Sequence, residues 1–274
     1  MNAWFHNVKI WIFGLNRGLI LYFFAILISS PMEGRSQEQV IEQLKTETKY
    51  RLTGTGLFSW GNRNRQFAIS EGEFDRIGEK LRFNFLPSMI YNRVNGRVTE
   101  YDYYVKGLLA WNPRKKIQPF LVSIYEYSER RQVDFRTILG PGISFTTMQR
   151  PNHKLYLQFA MLYDYTDYNG TDFRILGPQE SNLRRIIRPS PRVVGEHFFK
   201  NRDIRIEYIY WFHSGLQRIN DTRMKLDLNI DYKITEWLSF RTALDYFFEN
   251  IVLQGLNSND LLLSFGINIH NKKL

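Results

Sequence analysis

Long stretches of the sequence alternate apolar and polar residues with a period of two, and this pattern limits the fold more than any other feature. The clearest stretch runs from Met224 to Ile234, where every even position is apolar and every odd position is polar or charged. Successive side chains of a β-strand point to opposite faces, so such a stretch has one apolar face and one polar face. Stretches near Arg202, Leu238 and Leu261 repeat the pattern. The chain is therefore predicted to be all-β.

Twelve candidate strands can be counted after residue 48. This part of the chain has no window of eighteen apolar residues, so no transmembrane helix is expected there. The segments near Phe67, Phe120, Leu139 and Val193 are strand-like, but the sequence does not show which of their faces points inward. The predicted strands are 49–60, 65–75, 80–92, 97–111, 117–130, 135–149, 154–165, 186–199, 203–215, 223–234, 237–249 and 259–269.

The links between these segments indicate how the strands are connected. Links after even-numbered strands are all short, and several contain Pro, Asn or Gly, as tight turns require. Links after odd-numbered strands are mostly longer and include 166–185 and 250–258. Short turns at one rim and long loops at the other are typical of an outer-membrane barrel. The sequence predicts a transmembrane, antiparallel, up-and-down β-barrel of about twelve strands.

The apolar faces are predicted to contact lipid. Nearly every strand has such a face, and twelve of them would overfill a barrel interior, whereas the opposite faces carry mixed charges that can pair in a lumen. Aromatic residues make up 16% of the chain, which suits two aromatic girdles. The alternative is a secreted soluble β-sandwich binding protein, but its strands would be nearer five or six residues long. The predicted lumen charge network consists of Arg205, Glu207, Asp227, Asp231, Arg241 and Asp245.

The first residues differ from the rest of the chain. A basic start, an apolar core at 19–28 and small residues before Gln37 fit a secretory signal peptide. The alternative is an uncleaved membrane anchor, which would bury Arg17 in lipid at considerable cost. The predicted division is a cleaved signal peptide at 1–36, a polar lead-in at 37–48 and an outer-membrane barrel at 49–274.

Charge and cysteine content narrow the expected partners. The chain has no cysteine, which excludes disulfides, thiolate metal sites and cysteine nucleophiles. Its net charge of +10 fits nucleic acid, an anionic membrane surface or anionic solutes. Nucleic acid is not expected, because basic and acidic residues share the same faces and export is predicted. The expected location is the bacterial outer membrane, and the expected partners are its lipid, lipopolysaccharide and the barrel-assembly machinery.

Short motifs resemble those of a known family. A Gly-rich first strand at 52–57 precedes Trp60-Gly61-Asn62, and Trp237-Leu238 follows a tight turn before the penultimate strand. With the export signal, these features resemble the salt-induced outer-membrane protein family, a DUF481-like domain of unknown function, over the whole mature chain. The resemblance implies location and fold, and it supplies no substrate or catalytic residues. The last strand departs from many barrels because it does not end on the aromatic residue that the assembly machinery reads.

Neither catalysis nor a metal site is expected. The dipeptide His213-Ser214 would suggest an outer-membrane lipid-modifying enzyme, the second alternative, if both groups lay near the lipid boundary. However, His213 has the parity of Arg205 and Glu207, which places it in the predicted lumen. Nothing in the sequence sets a metal-binding distance between His197 and His213. The aspartates around the long loop lack the spacing of a calcium site, and no cofactor is expected.

A basic run marks the start of the eighth predicted strand. Its residues could line an anion path, bind lipopolysaccharide phosphates at the outer rim, or pair with carboxylates of the lumen. The predicted function is structural or narrow-pore passive transport of small solutes, without enzymatic activity and with weak anion preference if a pore exists. Twelve strands fall between filled eight-stranded barrels and wide sixteen-stranded ones, so both an open and a filled lumen fit the sequence. The candidate pore or anion-binding residues are Arg184, Arg185, Arg188 and Arg192.

Overall fold

A computed structural model of the protein describes residues 46–61, 64–217 and 220–271. The predicted signal peptide at 1–36 lies outside these residues, as does the lead-in up to residue 45. The first strand begins at Glu47, two residues before the predicted start of the barrel. Among the described residues, no helix is long and apolar enough to cross a membrane.

Twelve long antiparallel strands close into one barrel, which confirms the predicted fold class. Their order round the barrel follows the sequence, and the first strand pairs with the last. Two-residue strands β8 (Asp172–Phe173) and β9 (Gly177–Pro178) pair with each other in the link after β7, and a 3-10 turn spans Lys200–Arg202. Every barrel strand begins and ends within three residues of its predicted position. The barrel strands are β1 (Glu47–Ser59), β2 (Arg65–Ile77), β3 (Leu81–Val94), β4 (Arg97–Trp111), β5 (Ile117–Ser128), β6 (Val133–Arg150), β7 (His153–Tyr168), β10 (Leu183–Phe199), β11 (Ile204–Ser214), β12 (Thr222–Lys233), β13 (Leu238–Glu249) and β14 (Asn259–His270).

The apolar faces of the strands point outward. On β14, Leu261 and Phe265 are 57% and 55% exposed, whereas Asn268, on the opposite face, is fully buried inside the barrel. A soluble barrel or sandwich would bury the apolar face, because exposed apolar area is unfavourable in water. The alternative of a secreted soluble β-sandwich is therefore wrong.

Aromatic side chains form a belt on the outer surface. A continuous row crosses β3 to β7 close to the ends of these strands, with neighbouring ring centroids 5.1–6.4 Å apart. Near the opposite rim, Trp111 and Trp237 are exposed. Rings at these two levels suit the interfaces between lipid and water. The row consists of Tyr91, Tyr101, Tyr103, Tyr125, Tyr127, Phe135 and Tyr165.

The two rims differ only in the second half of the chain. All links at the rim where β1 begins, the short-turn rim, have two to five residues. At the other rim, the long-loop rim, the links 169–182, 215–221 and 250–258 are longer. The first three links at that rim are as short as turns, so the prediction that links after odd-numbered strands are mostly longer is correct for only three of six.

The closing seam between β1 and β14 is short. Only four residue pairs join the two strands, from Arg51 with His270 to Gly54 with Ile267. In contrast, β1 pairs with β2 along all thirteen of its residues. In the described part of the chain, no residue pair joins β1 and β14 beyond Gly54, so the half of the seam nearer the long-loop rim is unpaired.

Strands β6 and β7 approach closely at a glycine. A Cβ atom on Gly140 would lie 2.0 Å from the backbone oxygen of Met161 and 2.9 Å from the Cα of Leu162. The pairing of β6 with β7 is interrupted at this level, between Leu139 and Gly142. Only a residue without a side chain fits here.

Candidate functional site

The inner wall of the barrel combines one buried apolar cluster with buried charges on many strands. The cluster lies on β4 to β7, and these four strands also carry the buried Asp102, Glu126, Arg136 and Asp164. In β5, Leu121 and Tyr125 point outward while Val122 and Ile124 point inward, so both faces are apolar. This explains why the sequence did not show the inward face near Phe120. The apolar cluster consists of Ala110, Phe120, Val122, Ile124, Ile138 and Leu162.

Charged side chains join across the lumen near the short-turn rim. Arg51 lies 2.6 Å from Glu73 on β2 and 2.9 Å from Glu207 on β11. Three strands separate β1 from β11, so these contacts span the interior. Arg241 donates to both carboxylate oxygens of Asp231, at 2.7 and 2.9 Å. We call this group the lower network: Arg51, Glu73, Lys154, Glu196, Arg205, Glu207, Asp231 and Arg241.

The structure places all six residues of the predicted lumen network inside the barrel, but at two levels. Four of them, Arg205, Glu207, Asp231 and Arg241, belong to the lower network. Asp227 and Asp245 lie closer to the middle of the barrel, directly opposite each other on β12 and β13. Parity along each strand was therefore sufficient to find inward charges, although not to group them.

A second group of charges crosses the lumen near the long-loop rim. Arg136 lies 3.2 Å from Glu126 and 3.2 Å from Glu249. Arg223 lies 2.6 Å from Asp164 and 2.7 Å from Glu249. Arg136 on β6 and Glu249 on β13 are separated by four strands. We call this group the upper network: Glu126, Arg136, Asp164, Arg184, Arg188, Asp221, Arg223 and Glu249.

The upper network is almost dry and well hydrogen-bonded. The side chains of Arg136 and Arg223 are 1% exposed, and that of Glu249 is 3% exposed. Both arginines donate to the hydroxyl of Tyr168, at 3.1 and 3.2 Å, and this hydroxyl donates to Glu249 at 2.8 Å. Buried charges are stable only when they are paired and hydrogen-bonded in this way. Sequence reasoning missed Arg136 and Arg223, although Arg223 has the inward parity of Lys225.

Two long loops cover the upper network. Phe173, from the small β8–β9 hairpin, is 1% exposed and forms a bridge with Leu253 of the 250–258 loop. Both residues pack with Val133, Tyr168 and Ile251 in a second apolar cluster. The two loops therefore lie over the upper network at the long-loop rim.

The four arginines of the basic run do not act as one cluster. Arg184 lies 2.6 Å from Asp221, and Arg188 lies 2.6 Å from Asp164, so both belong to the upper network. Arg185 has the opposite parity, is exposed, and lies over the outward-facing ring of Tyr165. Arg192 points into the lumen at a lower level and has no ion pair among the described residues.

A cavity of about 150 Å³ lies inside the barrel beside the upper network. Ile69, Ile90 and Ile138 line its apolar side, and Lys225 and Asp245 line its charged side. One water occupies about 30 Å³ of liquid, so the cavity holds several waters or part of a small solute. The same cavity reaches residues of the long-loop rim, including Arg130, Arg131 and Asp260.

The structure separates His213 from Ser214 and brings His153 close to His197. His213 is fully buried in the lumen, whereas Ser214 follows it on a strand and so points the other way. His153, predicted to lie in a turn, is the first residue of β7, and its Nδ1 lies 3.1 Å from that of His197. Across the described ranges, no group of three or more His, Cys, Asp or Glu residues could hold a metal ion.

A closed antiparallel barrel with an apolar, aromatic-belted exterior and a charged interior defines the class of outer-membrane-type β-barrels. The chain belongs to the family described as protein of unknown function, DUF481, whose profile matches residues 56–270. This confirms the resemblance drawn from the short motifs. No curated protein matches the sequence.

Several solved barrels are similar in fold. The NanC porin is 14% identical over 83% of this chain and 100% of its own, with a TM-score of 0.47. A bacterial polysaccharide outer membrane secretin is 7% identical over 83% of this chain and 98% of its own, with a TM-score of 0.41. An anion-selective porin from Comamonas acidovorans is 7% identical over 83% of this chain and 100% of its own, with a TM-score of 0.38. Likeness at this level is consistent with a barrel and carries no information on function.

Proposed function

We propose that the protein is a β-barrel of the bacterial outer membrane that forms a narrow pore for passive transport of small solutes. The observation that carries this proposal is the cavity of about 150 Å³ inside the lumen, which is lined by both apolar and charged side chains and reaches the long-loop rim. An apolar exterior with two aromatic levels supports the membrane location.

The pore must be narrow because ion pairs bridge the interior at two levels. The lower network joins β1 to β11, and the upper network joins β6 to β13. Solutes would have to pass beside these bridges, through the cavity that Ile69, Ile90 and Ile138 line. The barrel would lie among outer-membrane lipid and lipopolysaccharide and would be inserted by the barrel-assembly machinery. We propose no nucleic-acid partner.

Single-channel recording tests the pore. Purified barrel reconstituted in planar bilayers should give steps well below those of a sixteen-stranded porin recorded in the same salt, since wide channels need more strands. Proteoliposomes should swell in solutions of small amino acids and not of trisaccharides. Heat-denatured protein is the control. If correctly folded protein gives neither conductance nor swelling, the pore is contradicted and a purely structural role is the remaining function.

The location is tested separately by fractionation. The protein should be recovered with the outer membrane and should migrate faster on gels when it is not boiled, because a folded barrel resists detergent. Recovery in the soluble periplasmic fraction would contradict the proposed location.

A lipid-modifying enzyme is the other candidate function, and the geometry disfavours it. His213 faces the lumen and Ser214 the opposite side, so the imidazole is not positioned to activate the hydroxyl. Purified wild type and Ser214→Ala should both release fatty acid from phospholipid micelles at the rate of buffer alone. Release above that background which Ser214→Ala abolishes would show that the enzyme hypothesis is correct.

A further inference from the structure

A third layer of charges lies between the two networks, and it is incompletely paired. Every base of the upper and lower networks lies within 4.0 Å of an acid, with Arg131 also paired to Glu126 of the upper network and Glu71 to Arg241 of the lower network. The layer between them does not contain enough acid for its bases. We call it the middle layer: Tyr104, Lys106, Arg192, Trp211, His213, Lys225, Asp227 and Asp245.

Arg192 is the first unpaired group of the middle layer. It is 6% exposed and points into the lumen from β10, and its cross-strand neighbours are Trp211 on β11 and Gln158 on β7. Pro189 and Pro191 have no N–H, and the β10–β11 ladder ends at Arg192. Within the described ranges the guanidinium has neither a hydrogen bond nor an ion pair. Its five donors are therefore available to a solute in the lumen.

Lys106 is the second unpaired group of the middle layer. It lies on the inward face of β4, at the next inward position after Tyr104, whose ring centroid is 5.3 Å from the Nζ of Lys225 across the lumen. It too lacks an ion pair among the residues that the structure describes. Asp227 is the acid that acts on both groups, but Lys225 already holds it at 2.8 Å.

His213 adds a further unused polar group. Its ring is fully buried and packs against Trp211, with ring centroids 3.9 Å apart and the ring planes tilted by 37°. Neither ring nitrogen has a hydrogen-bond partner in the described structure. A buried guanidinium, a half-buried ammonium and an unpartnered imidazole therefore face one lumen, where Arg192 and Lys106 have no anionic partner of their own among the described residues and the free acceptor beside Arg192, the Oε1 of Gln158, is uncharged.

We propose that the middle layer is a binding site for a small oxyanion, a carboxylate or phosphate group, with Arg192 and Lys106 as its main ligands. This inference rests on the proposed function, because the site would be reached through the pore. A guanidinium fork matches the paired oxygens of a carboxylate or phosphate, and a lysine adds a point charge. The anion satisfies both cations at once, which the protein's own acids do not. Solutes that carry such a group are therefore the substrate class of the pore.

Reversal potentials test this proposal, with a control from the same basic run. In a potassium acetate gradient the wild type should prefer the anion, and Arg192→Gln should lower the ratio of anion to cation permeability by roughly fivefold, as loss of one charge contact implies. Lys106→Gln should act in the same direction. Arg185→Gln removes an equal charge from the outer surface and should leave the ratio unchanged. Equal ratios in wild type and Arg192→Gln would overturn the site while leaving the pore intact.

A second measurement does not depend on conduction. Inorganic phosphate binds only the folded protein in this scheme, so it should raise the midpoint of the heat-induced gel shift relative to chloride at equal ionic strength. Wild type and Arg185→Gln should show this rise, and Arg192→Gln should not. No rise in the wild type would overturn the site. A rise without any conductance would support the site and contradict the pore.

Discussion

Replacing Arg223 with methionine is expected to lower the free energy of unfolding by about 3–5 kcal/mol, the usual cost of removing one partner from a buried ion pair. Arg223 contacts Asp164 at 2.6 Å and Glu249 at 2.7 Å, and the side chains of both acids are at most 3% exposed. Removing the guanidinium leaves these acids with fewer cationic partners in a site that water does not reach. Urea unfolding of the barrel in lipid vesicles, followed by tryptophan fluorescence, measures the loss.

The matched control for this substitution is Arg185→Met. Arg185 is exposed on the outer surface, where it lies over the ring of Tyr165, so its loss should change the free energy of unfolding by less than about 0.5 kcal/mol. Combining Arg223→Met with Glu249→Gln should recover part of the stability, because one buried charge disappears with its partner. Equal losses in Arg223→Met and Arg185→Met would show that the upper network does not stabilise the fold.

Replacing Gly140 with valine should have an effect of similar size for a different reason. The first added atom would lie 2.0 Å from the backbone oxygen of Met161, and backbone cannot rotate away as a side chain can. Strands β6 and β7 would have to separate, at a cost of about 3 kcal/mol, the upper end of the usual range for overpacking. Refolding into detergent should give little of the fast-migrating folded band.

Gly107 provides the control for the glycine prediction. It lies in β4, and a Cβ atom there would have no neighbour within 4 Å. Gly107→Ala should fold as well as the wild type or slightly better, because glycine inside a strand is entropically unfavourable. If Gly140→Val folds as well as Gly107→Ala, the contact between β6 and β7 is looser than the structure indicates.

The sequence was sufficient for the strands because lipid imposes a simple pattern. A residue that contacts hydrocarbon, such as Leu228 or Ile267, must be apolar. Its neighbours along the strand face the lumen, where polar residues are accepted, so apolar and polar residues alternate along the whole strand. Prediction failed where the lumen wall is itself apolar. In β5, Ile124 points inward and Tyr125 outward, so neither parity marks the inside.

The charge networks were beyond the sequence because their contacts are long-range. Arg136 and Glu249 are 113 positions apart and meet only because the closed barrel brings β6 opposite β13. The basic run shows a related difficulty. Apolar residues on both faces of β10, including Ile186 and Ile187, hid the parity that separates Arg185 from the arginines on either side.

The long-loop half of the β1–β14 seam has no paired residues in the described structure, so this seam is the weakest junction in the barrel wall. Four residue pairs hold the seam, all on the short-turn side of Thr55. Hydrocarbon cannot form hydrogen bonds with backbone N–H and C=O groups. The unpaired edges of β1 and β14 would therefore pair readily with the edge of another β-strand. Every other neighbouring pair of barrel strands has at least eight residue pairs, so the β1–β14 seam is expected to separate before any other pair of strands. A β-strand from another polypeptide would pair with the barrel at this same seam, on the long-loop side of Gly54.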